Sequence, residues 1–255
     1  MRVFMSTILK RVVAGLAGGV LLILQGCATG PNANPADPME PLNRAVFGFN
    51  DGLDRALIKP VATVYDQAVP SLVQAGVGNF FGNINDVWSA ANSALQLKPK
   101  ETIETFMRVT VNTVFGLGGL LDIGTELRLA KNRQDFGKTL GVWGLSTGPY
   151  VVLPIFGPSS VRDAVGTLVD GNYDPVTHLN KVPVRNSLAA LRAVDVRADL
   201  LSTTNALDEA ALDRYSFARE VYFKRRSNTK PNPDGAGKEP PVAEERFDLP
   251  APPAK

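Results

Sequence analysis

A serine between two glycines is the clearest candidate for chemistry in this chain of 255 residues. The pentapeptide GLSTG, residues 144–148, places Ser146 in the G-x-S-x-G pattern that presents a serine nucleophile in hydrolases. Asp170 or Asp174 and then His178 follow in the order Ser, Asp, His. These residues keep ester hydrolysis open, although such an elbow needs a strand before the serine and a helix after it, and no glycine cluster supplies an oxyanion loop.

The single cysteine, Cys27, is a candidate for lipid attachment. It follows three basic residues and an apolar stretch, 12–24, whose length suits a signal peptide and is too short to span a bilayer. LQGC resembles a bacterial lipobox, so we expect a lipoprotein signal peptide over residues 1–26 and acylation of Cys27. Ala28 then favours sorting to the outer membrane. The alternative is an ordinary cleaved signal with a free thiol.

Charge and motif content exclude several classes of function. Lys and Arg total 27 and Asp and Glu total 25. Three of the bases lie in the expected signal peptide, which leaves 24 bases against 25 acids in the rest of the chain. A body with this balance does not indicate a nucleic-acid partner. The chain has no phosphate-loop or G-x-G-x-x-G motif, no cysteine pair and one histidine, so we expect no cofactor, nucleotide or metal site.

Composition divides the chain into a tether, a folded body and a tail. Residues 27–37 contain repeated prolines and are expected to form a semi-extended tether after the acylated cysteine. Residues 38–226 are expected to form one helical domain. Residues 227–255 are polar and proline-rich, so they cannot bury enough apolar surface to offset the entropy of ordering. We expect this tail to be disordered.

The apolar spacing within the domain is mostly helical and predicts an all-α fold. Residues 41–58 place Leu42 and Phe49 on one face of a helix and Asn43 and Asn50 away from that face. Further helices are expected over residues 77–96, 101–115, 186–201 and 206–226. The domain is therefore expected to be built from amphipathic helices.

Two details of the first helix can be read from its sequence. The residues DPME before it predict Asp37 as the N-cap and Pro38 in the first turn. The row Gly48, Gly52 and Ala56 lets a second helix approach closely, as is common in lipid, or consists of ordinary tolerated small residues. Both readings of this row remain open.

Residues 139–161 carry no charge over 23 positions, which is enough to cross a bilayer as a helix. Three prolines and four glycines interrupt the run, so a straight span exposed to lipid would leave backbone groups unpaired and is excluded. The run is either a buried core segment or a broken, re-entrant piece at membrane depth. YVVLP, residues 150–154, is the best strand candidate, but Pro154 and the lack of partner strands predict that no sheet forms.

Several stretches occur together in the order of a known family. The chain carries DPMEPLNRAVFGFND, KPVATVY, NFFGNI, GLGGLLDIG, DFGKTLGVWGLSTGPYVVLPIFGPSSVRDAVG and YSFAREVYFKRR. Over residues 37–226 it resembles the VacJ/MlaA lipoprotein family, the outer-membrane component of the Mla lipid-transport pathway. Residues 136–166 are the longest and most specific match. Where the family usually has Asp-Pro-Tyr, this chain has Asp213, Arg214 and Tyr215.

The resemblance implies a ring-like, all-helical body embedded in the outer membrane, apolar outside and with an amphipathic channel at its centre. It implies a protein that is not an enzyme, that removes mislocalised phospholipids from the outer leaflet and that maintains lipid asymmetry. The implied partners are a trimeric porin and a soluble periplasmic lipid carrier. The protein would be lipid-anchored to the cell outer membrane and face the periplasm, with transport driven by the lipid gradient or by partners.

Under this implied function, two charged or glycine-rich clusters are candidates for the lipid path or its gate. Arg162 and Asp163 end the uncharged run, where they can meet a phospholipid headgroup or hold the channel loop. Alternatively, Asp163 only caps a helix in an S-x-x-D box. Gly118, Gly119 and Asp122 in GLGGLLD form either a flexible gate or a helix-breaking turn with a cap.

Three asparagines are further candidates for the lipid path. Asn43, Asn50 and Asn112 are polar residues on otherwise apolar helices, so they can face the lumen or simply be exposed. Two functions other than lipid removal also remain open. One is a structural lipoprotein that braces a porin, and the other is a lipid esterase that uses Ser146.

Overall fold

We describe the protein from a computed structural model, which defines residues 34–210 and 213–227. The predicted signal peptide, the predicted acylation site Cys27, most of the predicted tether and the tail from residue 228 lie outside the described residues. Helices make up most of the described part, as the apolar spacing predicts.

The fold consists of ten α-helices and one β-hairpin in the described part of the chain. The helices are α1 (Glu40–Leu53), α2 (Lys59–Ala68), α3 (Ser71–Leu95), α4 (Pro99–Val114), α5 (Ile123–Glu126), α6 (Phe136–Val142), α7 (Val161–Tyr173), α8 (Val182–Asp199), α9 (Leu201–Ala210) and α10 (Arg214–Ser227). A π-helical turn, Asp54–Ile58, joins α1 to α2, and a 3₁₀ turn, Pro175–His178, precedes α8.

The hairpin lies within the uncharged run, so the expectation that no sheet forms is wrong. Strand β1 (Tyr150–Leu153) pairs antiparallel with β2 (Gly157–Ser160). Pro154 falls in the turn, and Pro158 is tolerated because each strand of a two-stranded sheet is an edge. The sequence GPSS of β2 lacks the β-branched and aromatic residues that mark a strand, which is why no partner strand was predicted.

Two predicted helix boundaries are also wrong. Helix α1 begins at Glu40 without a side-chain cap, so Asp37 does not cap it. The helix predicted over residues 206–226 is divided into α9 and α10. Asp213 starts the second of these by accepting hydrogen bonds from two backbone amides of its first turn, at 3.1 and 3.3 Å.

Burial is inverted relative to a typical water-soluble domain. Among the residues whose burial the structure describes, 34–205 and 213–226, 16 polar or charged residues and 8 hydrophobic residues are buried, while 33 large hydrophobic side chains are exposed. On α1, Phe49 is 60% exposed and Asn43 is 2% exposed, so the apolar stripe faces outward. A Cβ added at Gly48 or Gly52 would meet nothing within 4 Å, so these glycines pack against no described residue. So large an apolar exterior indicates an interaction surface.

The centre of the domain is a polar contact between α3 and α4. Asn92 and Thr105 are fully buried in it, and Arg108 is 1% exposed. Helix α3 extends over 25 residues, yet within the two described ranges no helix combines the length and apolarity needed to cross a membrane. The buried polar side chains therefore lie inside a body whose apolar groups face outward.

Candidate functional site

A cavity of about 1170 Å³ is lined by residues of α3, α8 and α10 and by the segment 131–138, which leads into α6. Its bases include Lys131, Arg133, Lys138, Arg192, Arg225 and Arg226. Its acids are Asp86, Asp135, Asp170, Asp195 and Asp199. Apolar positions include Phe81, Trp88, Val196, Phe217 and Val221. The volume exceeds the roughly 300–1,000 Å³ of common small-molecule pockets, and the mixed lining suits a large amphipathic ligand.

Trp88 on α3 fixes one wall of the cavity. Its indole N–H donates to Asp170 at 2.7 Å, and its ring stacks on Tyr173 with centroids 4.7 Å apart. Asp170 also accepts the Phe136 amide at 3.0 Å. Burial raises the pKa of the Asp170 carboxyl, and the hydrogen bond from Trp88 opposes this rise. Asp170 thereby connects α3, α6 and α7.

Asp163 ties the start of α7 to α10. It is 3% exposed, and its carboxylate accepts from Arg162 at 2.9 Å, from the Tyr222 hydroxyl at 2.5 Å and from Arg226 at 2.8 Å. The helix cap is provided by Ser160, whose hydroxyl accepts the Asp163 amide at 3.2 Å. Tyr222 and Arg226 line the cavity, whereas Arg162 and Asp163 do not. The part of this pair in a lipid path stays a prediction.

Replacing Asp163 by asparagine is expected to lower the free energy of unfolding by about 1–2 kcal/mol, because a neutral amide loses the charge-assisted bonds to two guanidinium groups. Thermal unfolding in detergent, arranged as a double-mutant cycle with Tyr222→Phe, measures this loss. Ser160→Ala is the control for the cap alone and is expected to cost about 1 kcal/mol. An absence of coupling between Asp163 and Tyr222 would contradict the tie to α10.

The glycine turn after α4 packs against α3 and contributes no residue to the cavity lining. Gly118 and Gly119 have φ angles of 74° and 97°. A Cβ at Gly119 would lie 2.7 Å from the Asn83 side-chain nitrogen, so this position requires glycine. Asp122 accepts a backbone amide in the first turn of α5 at 3.2 Å, as expected of a cap. A gating role for these residues stays a prediction.

The three candidate asparagines bond to backbone groups. Asn43 donates to the Tyr150 carbonyl at 3.0 Å and accepts the Val152 amide at 2.9 Å. Asn50 makes the same pair of bonds, at 2.9 and 2.8 Å, at the turn of the hairpin. Asn112, which is 4% exposed, accepts a backbone amide of α5 at 2.7 Å. None of the three lines the cavity, and a role in the lipid path stays a prediction.

Sequence reasoning missed the basic residues of the cavity. The stretch KNRQDFGK places Lys131, Arg133 and Lys138 within the eight residues directly before the uncharged run. Three bases within eight residues beside a membrane-length apolar segment were a signal in the sequence. They lie on a segment without apolar periodicity, so a solvated loop explains the same pattern from sequence alone.

The outward apolar surface, the polar interior and the mixed cavity define a helical protein suited to hold an amphipathic ligand at a lipid boundary. Its sequence matches the model of the MlaA lipoprotein family over residues 35–229, and the chain belongs to that family. The resemblance seen in the sequence motifs is thereby confirmed.

Named relatives and a solved structure agree with this membership. The intermembrane phospholipid transport system lipoprotein MlaA of Escherichia coli (strain K12) is 34% identical, over 85% of this chain and 88% of that protein. Its Haemophilus influenzae namesake is 32% identical, over 86% and 88%. A solved structure from work on the structural basis for maintenance of bacterial outer membrane lipid asymmetry has a TM-score of 0.66 and 32% identity, over 76% of this chain and 98% of that one.

Proposed function

We propose that this protein removes mislocalised phospholipids from the outer leaflet of the outer membrane and passes them to a soluble periplasmic carrier. The observation that carries the proposal is a cavity with both charged and apolar lining inside a body whose exterior is apolar. Phospholipid as substrate class is supported by the names of the relatives, which are intermembrane phospholipid transport lipoproteins.

The cavity supports a passive mechanism. Moving a charged headgroup through hydrocarbon is costly because the group loses its hydration without gaining partners. Exposed bases such as Lys131 and Arg133 offer those partners, while Phe217 and Val221 on α10 offer contacts for the acyl chains. The barrier to lipid movement is lowered in both directions, so net flow follows the partner that withdraws lipid.

Anchoring and partners complete the proposal. Acylation at Cys27 holds the protein on the periplasmic side of the outer membrane, because each buried methylene of an acyl chain contributes about 0.8 kcal/mol. The apolar exterior is then available to lipid and to a trimeric porin, which would place the cavity beside the bilayer.

Outer-leaflet phospholipid in a strain that lacks the gene tests this function. We expect phospholipid to accumulate there and to return to the normal level when the wild-type gene is restored. Native mass spectrometry of the mature protein from its own membrane reports acylation, bound phospholipid and any bound porin together. Normal lipid asymmetry in the deletion strain, with no phospholipid on the purified protein, would favour a porin brace instead.

Ser146→Ala is expected to leave lipid removal unchanged at normal protein abundance. Ser146 is exposed on a loop that follows a helix, α6, and precedes a strand, β1, which reverses the order that a nucleophile elbow needs. His178 contacts the Asn172 carbonyl at 2.5 Å through its Nε2. Outer-leaflet phospholipid and hydrolysis of a phospholipid ester are the measurements. Ester hydrolysis by the wild type that is absent from the variant would support the esterase hypothesis.

A further inference from the structure

The segment 129–135, between α5 and α6, is held firmly at both ends although it has no regular secondary structure. Arg108 donates to the Leu129 carbonyl at 2.7 Å. At the other end, the Ser89 hydroxyl accepts the Gln134 amide at 3.0 Å and lies 3.1 Å from the Gln134 carbonyl, to which it donates. The side chains between these anchors are therefore presented from a fixed backbone.

Two cations on this segment are not engaged in a close contact. Lys131 and Arg133 are exposed, both line the cavity, and neither side chain makes a hydrogen bond or an ion pair with the described side chains of residues 34–205 and 213–226. A Cβ at Gly82 would lie 3.1 Å from the Lys131 ammonium nitrogen, so the glycine on α3 leaves space that this ammonium group uses. The segment thus directs two exposed cations, neither held in a described ion pair, at the cavity.

The neighbouring carboxylate, Asp86, already has a counter-charge inside the protein. Its side chain is 3% exposed, and its Oδ2 lies 3.6 Å from the Arg108 Nε. Burial raises the pKa of Asp86, and the charges of Lys131, Arg108 and Arg133 oppose this rise. Among the described contacts, only Arg108 lies within ion-pair distance of Asp86. Both of these cations remain available to an anion that enters the cavity.

We propose that Lys131 and Arg133 form the site that binds the phosphodiester group of a glycerophospholipid in the cavity. The inference rests on the proposed function and assigns the headgroup end of the ligand. A guanidinium binds two phosphate oxygens through paired N–H groups, and an ammonium adds a compact charge. Phe81, Val196 and Phe217 in the same cavity supply apolar surface for the acyl chains.

The test compares two double variants of the full acylated protein in detergent. Lys131→Gln with Arg133→Gln removes the site, and Asp86 keeps its contact with Arg108 at 3.6 Å, so the fold is expected to be retained. Lys181→Gln with Arg128→Gln removes the same charges from exposed residues that do not line the cavity. The probes are dihexanoylphosphatidylglycerol, dihexanoylglycerol, which lacks the phosphate, and inorganic phosphate, each titrated by calorimetry.

We expect the site variant to bind the phospholipid about tenfold more weakly than the wild type, which is the scale of one lost charge-assisted contact. Binding of dihexanoylglycerol is expected to be unchanged, and the control variant is expected to match the wild type. An equal loss in the control variant, or no loss in the site variant, overturns the proposal. Inorganic phosphate that binds as tightly as the phospholipid would assign the site to free phosphate and also overturn it.

Failure of this inference can be told apart from failure of the proposed function. If the wild type binds and removes phospholipid and the site variant does so equally well, only the assignment of Lys131 and Arg133 is wrong. If the wild type binds dihexanoylphosphatidylglycerol no better than dihexanoylglycerol and the deletion strain keeps normal asymmetry, the proposed function fails with it.

Discussion

Arg108→Met is expected to lower the free energy of unfolding by about 3–5 kcal/mol, because it removes a buried cation that pairs with the half-buried Asp122 and lies beside the buried Asp86. Arg108 is 1% exposed. It pairs with Asp122 at 2.5 Å, lies 3.6 Å from Asp86, and donates to the Thr125 hydroxyl at 2.7 Å. Methionine keeps most of the apolar volume, so the loss reports the charge and its hydrogen bonds.

The loss is expected to shrink at low pH. Burial raises the pKa of Asp86 already in the wild type, so its folded form holds a proton more readily than its unfolded form. Without Arg108 this difference grows, and lowering the pH towards the raised pKa protonates Asp86 and stabilises the folded variant. Thermal unfolding of variant and wild type at about pH 7 and about pH 5 measures the difference. A deficit that stays constant with pH would contradict an uncompensated Asp86.

Asp86→Asn in the Arg108→Met background is the matched control. It removes the charge that lacks a partner, so we expect it to recover about 1–2 kcal/mol and to abolish most of the pH dependence. Arg108 also anchors Leu129, so the single variant is expected to weaken phospholipid binding through a looser segment 129–135. Unchanged binding in a folded Arg108→Met protein would show that this anchor is dispensable.

The sequence predicts helices at the positions of α1, α3, α4 and α8 because each carries its own apolar period, whereas α2, α5 and α6 are not predicted. It cannot tell which face of α1 is buried, since a period of 3.6 residues is the same whether Phe49 or Asn43 points inward. The resemblance to a membrane family predicts that the apolar face points outward, and the exposure of Phe49 agrees with this prediction. The apolar period of a helix therefore does not determine which of its faces is buried.

The candidate site was harder to predict because its parts come from distant segments. Asp37 satisfies the local rule for a helix cap, yet it is buried against residues some 180 positions away, with Arg219 at 2.8 Å. Asp163 satisfies the rule for a capping box, but its carboxylate bonds to Tyr222 and Arg226 of α10. Lys131 and Arg133 can be recognised as candidate site residues only once they are seen to line the cavity with residues of α3, α8 and α10.

The hairpin was missed for a related reason, since part of its hydrogen bonding is supplied by a helix. The Asn43 amide occupies the outer edge of β1 as a peptide of a third strand would, with one accepted and one donated bond. Asn50 repeats this two helical turns later. Seven helical residues rise about 10.5 Å, and the three residues that separate the bonded groups in the hairpin span about 10 Å. The two side chains on α1 are therefore spaced so that Asn43 reaches β1 and Asn50 reaches the end of β1 and the turn.

Asn43→Ala is expected to lower the free energy of unfolding by about 3 kcal/mol, because it leaves the Val152 amide and the Tyr150 carbonyl buried without partners. Val152 is 5% exposed and Tyr150 is fully buried, so water cannot replace the lost bonds easily. Asn50→Ala removes the same pair of bonds at the exposed turn, where water can substitute, and is expected to cost about 1 kcal/mol. Asn43 also donates to the Asp37 carboxylate at 2.8 Å, so part of its larger loss belongs to that third bond.

Hydrogen exchange at single amides completes this test. In Asn43→Ala the Val152 amide is expected to exchange faster while the Ile155 amide stays protected, and in Asn50→Ala the order is expected to reverse, since each asparagine accepts one of these amides at 2.9 and 2.8 Å. Equal losses of stability in both variants, or Val152 protection that survives Asn43→Ala, would show that the hairpin is held by β2 and the aromatic side chains around Tyr150. Faster exchange of Val152 only in Asn43→Ala, and of Ile155 only in Asn50→Ala, would show instead that α1 acts as the third strand of this sheet.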